Sequence, residues 1–195
     1  MGSARRQCES QGPRPTDPRG HVAEYLDASF LDRLGIGELT PALANFWPAR
    51  GPQWNALGRT NNGDLLIVEA KAHIDEMLSP DTQASGGSRG QIEAALKSCT
   101  DALDAIPKVA RIETLYQLAN CIAHLWFLLA ANKPARLVLV NFLNDDEMDG
   151  PVSPREWDAA YQVALHVLGL KRNHALARYL VHLHSDVRHL GVPVE

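Results

Sequence analysis

Glu69, Lys71 and His73 stand at two-residue spacing in the stretch Asp64-Leu-Leu-Ile-Val-Glu69-Ala-Lys71-Ala-His73. Alternate residues of a strand share a face, so Leu65, Ile67, Glu69, Lys71 and His73 point one way and Leu66, Val68, Ala70 and Ala72 the other. The first face begins apolar and ends acid, base, imidazole. A carboxylate and an ammonium two residues apart can hold a divalent cation and orient a water beside it, which metal-assisted hydrolysis of a phosphodiester needs. Ala70 and Ala72 are small enough for another element to pack closely behind. The apolar run implies a central strand, where a Glu and a Lys on the core-side register are costly without a task. That favours a site over the plain alternative, a surface ion pair on an edge strand.

Several elements must position this strand. Trp54 to Arg59 reads as a preceding strand, and Asn61-Asn62-Gly63 supplies residues that tolerate a tight turn, so the two strands form a hairpin with Leu65 to His73 returning antiparallel. Upstream, Val22, Leu26, Phe30 and Leu34 recur at four-residue spacing and predict a helix over His21 to Leu34, with Gly35 at its end. Thr40 to Gly51 reads as a connection with one short extended piece. Ser79 to Gly90 is a Ser-, Gly- and Pro-rich loop. A helix over Ser88 to Leu103 and a strongly apolar one over Ile112 to Ala131 follow it. Arg136 to Leu143 is a strand whose apolar run Leu137 to Val140 calls for cover on both faces. Ser153-Pro-Arg-Glu156 opens a helix that runs to about Leu168 and closes at Gly169. At the end, Tyr179 to His184 reads as a strand, and a short helix over Ala175 to Leu180 fits almost as well.

Composition bounds the class. The chain has 195 residues, 45% hydrophobic and 22% charged, enough for one domain with a substantial core over residues 21–195. Residues 1–20 combine three prolines with four arginines and almost nothing to bury, the composition of a disordered tail. A net charge of -4 gives no global pull toward nucleic acid, so DNA or RNA binding needs a local groove. The three cysteines lack any Cys-x-x-Cys pair and read as free thiols in a reducing cytoplasm. The longest apolar run, Ile122 to Ala131, is broken by His124 and is well short of the roughly 20 residues of a membrane span.

The stretch Pro52-Gln-Trp-Asn55-Ala-Leu followed by Val68-Glu69-Ala-Lys71-Ala-His73 resembles the PD-(D/E)xK nuclease superfamily, and within it a group of uncharacterised bacterial proteins with Trp-Asp-Ala-Leu and Val-Glu-Ala-Lys-Ala-His motifs. The likeness spans roughly Gly35 to Asp145. It implies an α/β, restriction-endonuclease-like three-layer core with a central mixed β-sheet flanked by helices. It implies a metal-dependent nuclease acting on DNA or RNA. Glu69 would ligate Mg2+ or Mn2+, the Ala70 carbonyl would take a further coordination position, and Lys71 would orient or help deprotonate the attacking water. Asn55 stands where the superfamily has a metal-binding Asp, so the site is one formal negative charge short. Strand parity puts Asp64 on the face opposite Glu69. Glu24 on the first helix, with Asp27 after it, is the better candidate for a further acid, since the superfamily often supplies one from that helix. A nuclease fold that has lost catalysis and serves as a binding module is the other reading, and it suits Asn55. Many relatives act as dimers, and the helix over Ile112 to Ala131 serves equally as an interface or as a core element.

Other polar groups have two readings each. His73 shares the Lys71 face and could touch substrate, or simply be bonded at a strand end. Gln117, Asn120 and His124 form a stripe at spacings of three and four that must face either the site, as substrate contacts, or solvent. His182, His184 and Asp186 superficially resemble a metal cluster, but polar alternation on a surface strand is the simpler reading. Asp145-Asp146-Glu147 reads as a solvated turn, and Trp47 and Trp54 as packing aromatics.

Overall fold

Four strands build the sheet that carries Glu69: β3 (Ala56–Arg59), β4 (Leu65–Lys71), β5 (Ala135–Leu143) and β6 (Leu180–Asp186), in the order β3-β4-β5-β6. The computed structural model describes residues 25–26, 28–49, 51–79, 82–108 and 114–190. The expected tail, Glu24 and Asp27 lie outside them. β3 and β4 are antiparallel, whereas β5 runs parallel to β4 and β6 parallel to β5. The fold is mixed α/β, with helices flanking a mixed sheet.

The hairpin forms as its residues dictate. Gly63 N–H donates to the Thr60 carbonyl at 2.8 Å, Thr60 N–H donates to the Asp64 carbonyl at 2.9 Å, and Gly63 sits at φ +87°, a conformation that L side chains rarely adopt. Its first strand, however, is interrupted. Gln53–Trp54 is a separate short strand, β2, that pairs antiparallel with β1 (Tyr25–Leu26) and leaves Asn55 at the break. This pairing also corrects the expected helix over residues 21–34. Among the described residues there is a strand at Tyr25–Leu26 and a five-residue helix, α1 (Ser29–Arg33), so the spacing of Leu26, Phe30 and Leu34 spans a strand-to-helix junction. The connection expected after Thr40 holds a helix, α2 (Thr40–Phe46). Pro41 lies in its first turn, where a missing N–H costs nothing and the fixed φ favours a helical start.

The crossover from β4 to β5 carries α3 (Gly86–Ala102) and α4 (Tyr116–Ala130), and that from β5 to β6 carries α5 (Pro154–Val167). α4 is apolar nearly all round, and its burial explains why: Ala123, Leu125 and Leu128 are fully enclosed. It is a core helix. α5 starts where its sequence suggests, after Ser153, but the Ser153 side chain accepts no backbone N–H; its Oγ donates to the Glu156 carboxylate at 2.6 Å and Glu156 N–H donates to the Ser153 carbonyl at 3.2 Å. It ends at Gly169, φ +77°, where a Cβ would run into the Ile106 backbone. Before β6 a single 3-10 turn, Ala177–Tyr179, accommodates the helical tendency noted there, and the strand follows it. Among the described residues no helix is long and apolar enough to cross a membrane.

The two faces of the sheet are unlike. Gln117 of α4 bonds to Glu69, and Tyr161 of α5 packs on His182, whose register neighbour Leu139 pairs with Glu69, so both helices lie on the Glu69 face. Leu65, Ile67, Leu137 and Leu139 form that face and are at most 2% exposed. On the opposite face Val138 is buried but Leu66, Val68, Val140, Phe142 and Val181 are half-buried and Leu183 is 51% exposed, so among the described residues the cover expected on both faces of β5 is complete only on the Glu69 face.

Candidate active site

Glu69 and Lys71 end the buried register of β4, and each is only 4% exposed. Moving two ions out of water costs several kcal/mol each unless partners are close and complete. Here they are close. Lys71 Nζ lies 3.3 Å from Glu69 Oε1 and donates to Gln117 Oε1 at 2.7 Å, while Gln117 Nε2 donates to Glu69 Oε1. The three side chains close a ring. Gln117 reaches it from the first turn of α4, which is pinned there because the Gln117 N–H donates to Ser79 Oγ at 2.9 Å. The stripe read from the sequence thus places Gln117 at the site.

Asn55 joins them from the break between β2 and β3. Its N–H donates to the Val68 carbonyl at 3.1 Å, and its side-chain Oδ1 accepts from the Ala70 N–H at 2.8 Å. The side chain therefore replaces a backbone acceptor where the first strand of the hairpin turns away from β4. A strand residue sends its N–H and C=O to the same edge, so the Ala70 carbonyl also opens toward Asn55. Asp64 is elsewhere, as parity requires, accepting from Arg136 Nε at 2.9 Å.

The remaining candidates separate. His73 lies two residues beyond the end of β4 and turns its Nε2 to Glu76 Oε1 at 3.3 Å, and the same oxygen accepts from the Ala72 N–H. Asn120 is nine-tenths buried, lines the cleft beside Gln117, and has its Oδ1 enclosed without a partner. His124 requires a correction: it faces neither the site nor solvent. It is fully buried against the rings of Phe30, Phe46, Trp47 and Trp54, with centroids 4.7 to 6.3 Å away, and its Nδ1 bonds to the Asn120 carbonyl at 2.9 Å. Burial lowers its pKa to about 4, so it is a neutral core residue. Trp47 and Trp54 are packing aromatics, as expected. His182 and His184 are half-buried rather than on an open surface, because Tyr161 covers His182 at 4.7 Å, and Asp186 is held by Arg188 and Asn144. Asp146 and Glu147 are exposed in a turn.

Three neighbours escaped the sequence reading. Burial raises the pKa values of Cys121 and Tyr161, and the Glu69 carboxylate adds to the rise in both, so thiol and phenol stay protonated in its neighbourhood. Asn141 pairs in register with Lys71 and is fully buried, with Oδ1 unpartnered. Its signal was present: it is the lone polar residue in the apolar run of residues 137–143. Nothing local marks Tyr161 or Cys121, whose positions depend on how α5 and α4 cross the sheet.

No protein-family model, curated protein or solved structure matches this chain. Among the described residues no three His, Cys, Asp or Glu side chains converge on one point. Glu69, the Ala70 carbonyl and Asn55 Oδ1 are nevertheless all oxygens, the kind of donor that Mg2+ and Mn2+ prefer. They fit such an ion in kind, with a single formal negative charge that Lys71 already offsets.

Proposed function

We propose that this chain is a PD-(D/E)xK-type protein with a restriction-endonuclease-like core, and that it is a metal-dependent nuclease cleaving phosphodiesters of DNA or RNA. The observation that carries the reading is the buried Glu69–Lys71 pair at the carboxyl end of a parallel-paired strand, next to Asn55. Ligands of open α/β sheets bind at such strand ends, and a buried acid and base with no packing purpose point to chemistry. Glu69, Asn55 and the Ala70 carbonyl would hold Mg2+ or Mn2+, which when bound supplies a Lewis acid for the phosphoryl oxygen and an acidified water. Lys71 holds a positive charge where the phosphorane-like transition state concentrates negative charge, and Gln117 fixes the direction of its ammonium.

The second reading, a nuclease fold acting as a binding module, draws on one specific feature. Asn55 Oδ1 already accepts the Ala70 N–H, and the far end of an amide is a donor that repels a cation. Cleavage assays on single- and double-stranded DNA and RNA with Mn2+ separate the two. The nuclease reading expects cleavage that Lys71→Ala abolishes and Asn55→Asp increases, with tighter Mn2+ binding by calorimetry in the latter. Absence of cleavage and of Mn2+ binding in both the natural chain and Asn55→Asp would leave only the binding module.

A further inference from the structure

Beside the ring of Glu69, Lys71 and Gln117 lies a cleft of about 790 Å³ between residues 47–49 and 51–53 on one side and residues 79, 82–85 and 88 on the other, with Gln117 and Asn120 on its α4 wall. We propose that this cleft receives one unpaired base of a single-stranded nucleic acid, which makes single strands, not duplexes, the substrate class. The inference rests on the nuclease-type reading of the adjacent pair.

Size is the first argument. Pockets of roughly 300–1,000 Å³ enclose small ligands, whereas a duplex is engaged by a protruding element or a basic surface. Charge is the second. Among the described lining residues none carries a charge, so the cleft suits the neutral base and leaves the phosphate to Lys71 next door. Its chemistry is the third. Tyr116, half-buried, presents a ring backed by Trp47 with centroids 6.4 Å apart and planes 24° apart, a rigid platform on which an unstacked base can lie. Ser79 Oγ and Thr82 Oγ1 each accept a backbone N–H, from Gln117 and from Ala84, which leaves both hydroxyl protons to donate to base carbonyls or ring nitrogens. Asn120 adds a nine-tenths-buried amide to the wall, its Oδ1 enclosed without a partner among the described residues. A base inside a duplex shows neither its face nor its pairing edge and would have to be extruded first.

Fluorescence anisotropy in EDTA tests this, using short labelled single strands of DNA and of RNA and the blunt DNA duplex of the same sequence. At least one single strand should bind about tenfold or more tighter than the duplex, Tyr116→Ala should lose about tenfold of that affinity, and Tyr116→Phe should keep it. Ser85→Asp, at an exposed rim position that starts α3 and accepts Asp as a helix cap, should weaken single-strand binding through like-charge repulsion. That variant carries the test if Tyr116→Ala does not fold. Equal or tighter duplex binding overturns the inference and leaves the nuclease reading standing. So does single-strand binding unchanged in a folded Tyr116→Ala, or unchanged in Ser85→Asp. Binding of neither form also overturns the inference, while the nuclease reading is decided separately by cleavage with Mn2+.

Discussion

Lys71 and Glu69 depend on each other because each is only 4% exposed. Replacing Lys71 with Met removes one charge and leaves a carboxylate 4% exposed without its cation, though Gln117 still donates to it. Such a single truncation should cost about 3–5 kcal/mol in urea unfolding, whereas the double change Glu69→Gln with Lys71→Met should cost clearly less than the sum of the two single changes. Asn55 is held to a different standard. Asn55→Ala strands the Ala70 N–H and should cost about 1–3 kcal/mol, but Asn55→Asp keeps an acceptor in place and should unfold at nearly the urea concentration of the natural chain. A loss in Asn55→Asp as large as that in Asn55→Ala would mean the position does not tolerate an acid. Asn55 was marked only by the family resemblance, whereas Glu69 and Lys71 were legible because a strand's period of two fixes which side chains share a face, whatever surrounds it. His124 was not, because helical spacing tells that it lines up with Gln117 but not that four aromatic rings from α1, α2 and the chain before β3 close over it.

At the scale of elements, the same burial gives α4 a pH dependence. Burial holds the His124 pKa down to about 4 against an ordinary 6.5, so the unfolded chain binds a proton at this residue below about pH 6.5 while the folded chain does so only below about pH 4. Its contribution to stability is therefore complete above pH 6.5 and lost as pH falls toward 4, by up to about 3 kcal/mol. His174 and His182 are also held low by burial and push the same way, so the measurement is the difference between the natural chain and His124→Phe. Denaturant midpoints between about pH 7 and about pH 4.5 should fall less steeply in the variant. Equal slopes would mean that His124 is not kept neutral. The long, strongly patterned elements α3, α4, α5, β4 and β5 were readable because each carries its own periodicity or apolar run. The region before Asn55 was not. β1 and β2 are two residues each, their pairing joins positions far apart in the chain, and no local pattern announces a strand that short. α2 was hidden by Pro41, which reads as a breaker until it is placed in a first turn.

The whole molecule buries its sheet unequally, and the inequality can be measured with two leucines. Leu139 and Leu183 lie on neighbouring parallel strands, Leu139 paired with His182 and Leu183 with Val140, so they stand almost side by side on opposite faces. Leu139 is 1% exposed under the helices of the Glu69 face, and Leu183 is 51% exposed. Truncating Leu139 to Ala removes buried methyl groups and leaves a cavity that the packed helices close only in part, a loss of about 2–5 kcal/mol. Truncating Leu183 removes a side chain that water already reaches, and the change should stay within about 0.5 kcal/mol. Urea unfolding of both variants at low protein concentration gives the comparison. A cost for Leu183→Ala that approaches the Leu139 value, and that grows with protein concentration, would mean that the open face is covered by a second copy in solution. A small and concentration-independent cost means that the Glu69 face alone holds the core. The sheet then serves chiefly to carry Glu69, Lys71 and Asn141 to one end of its parallel strands.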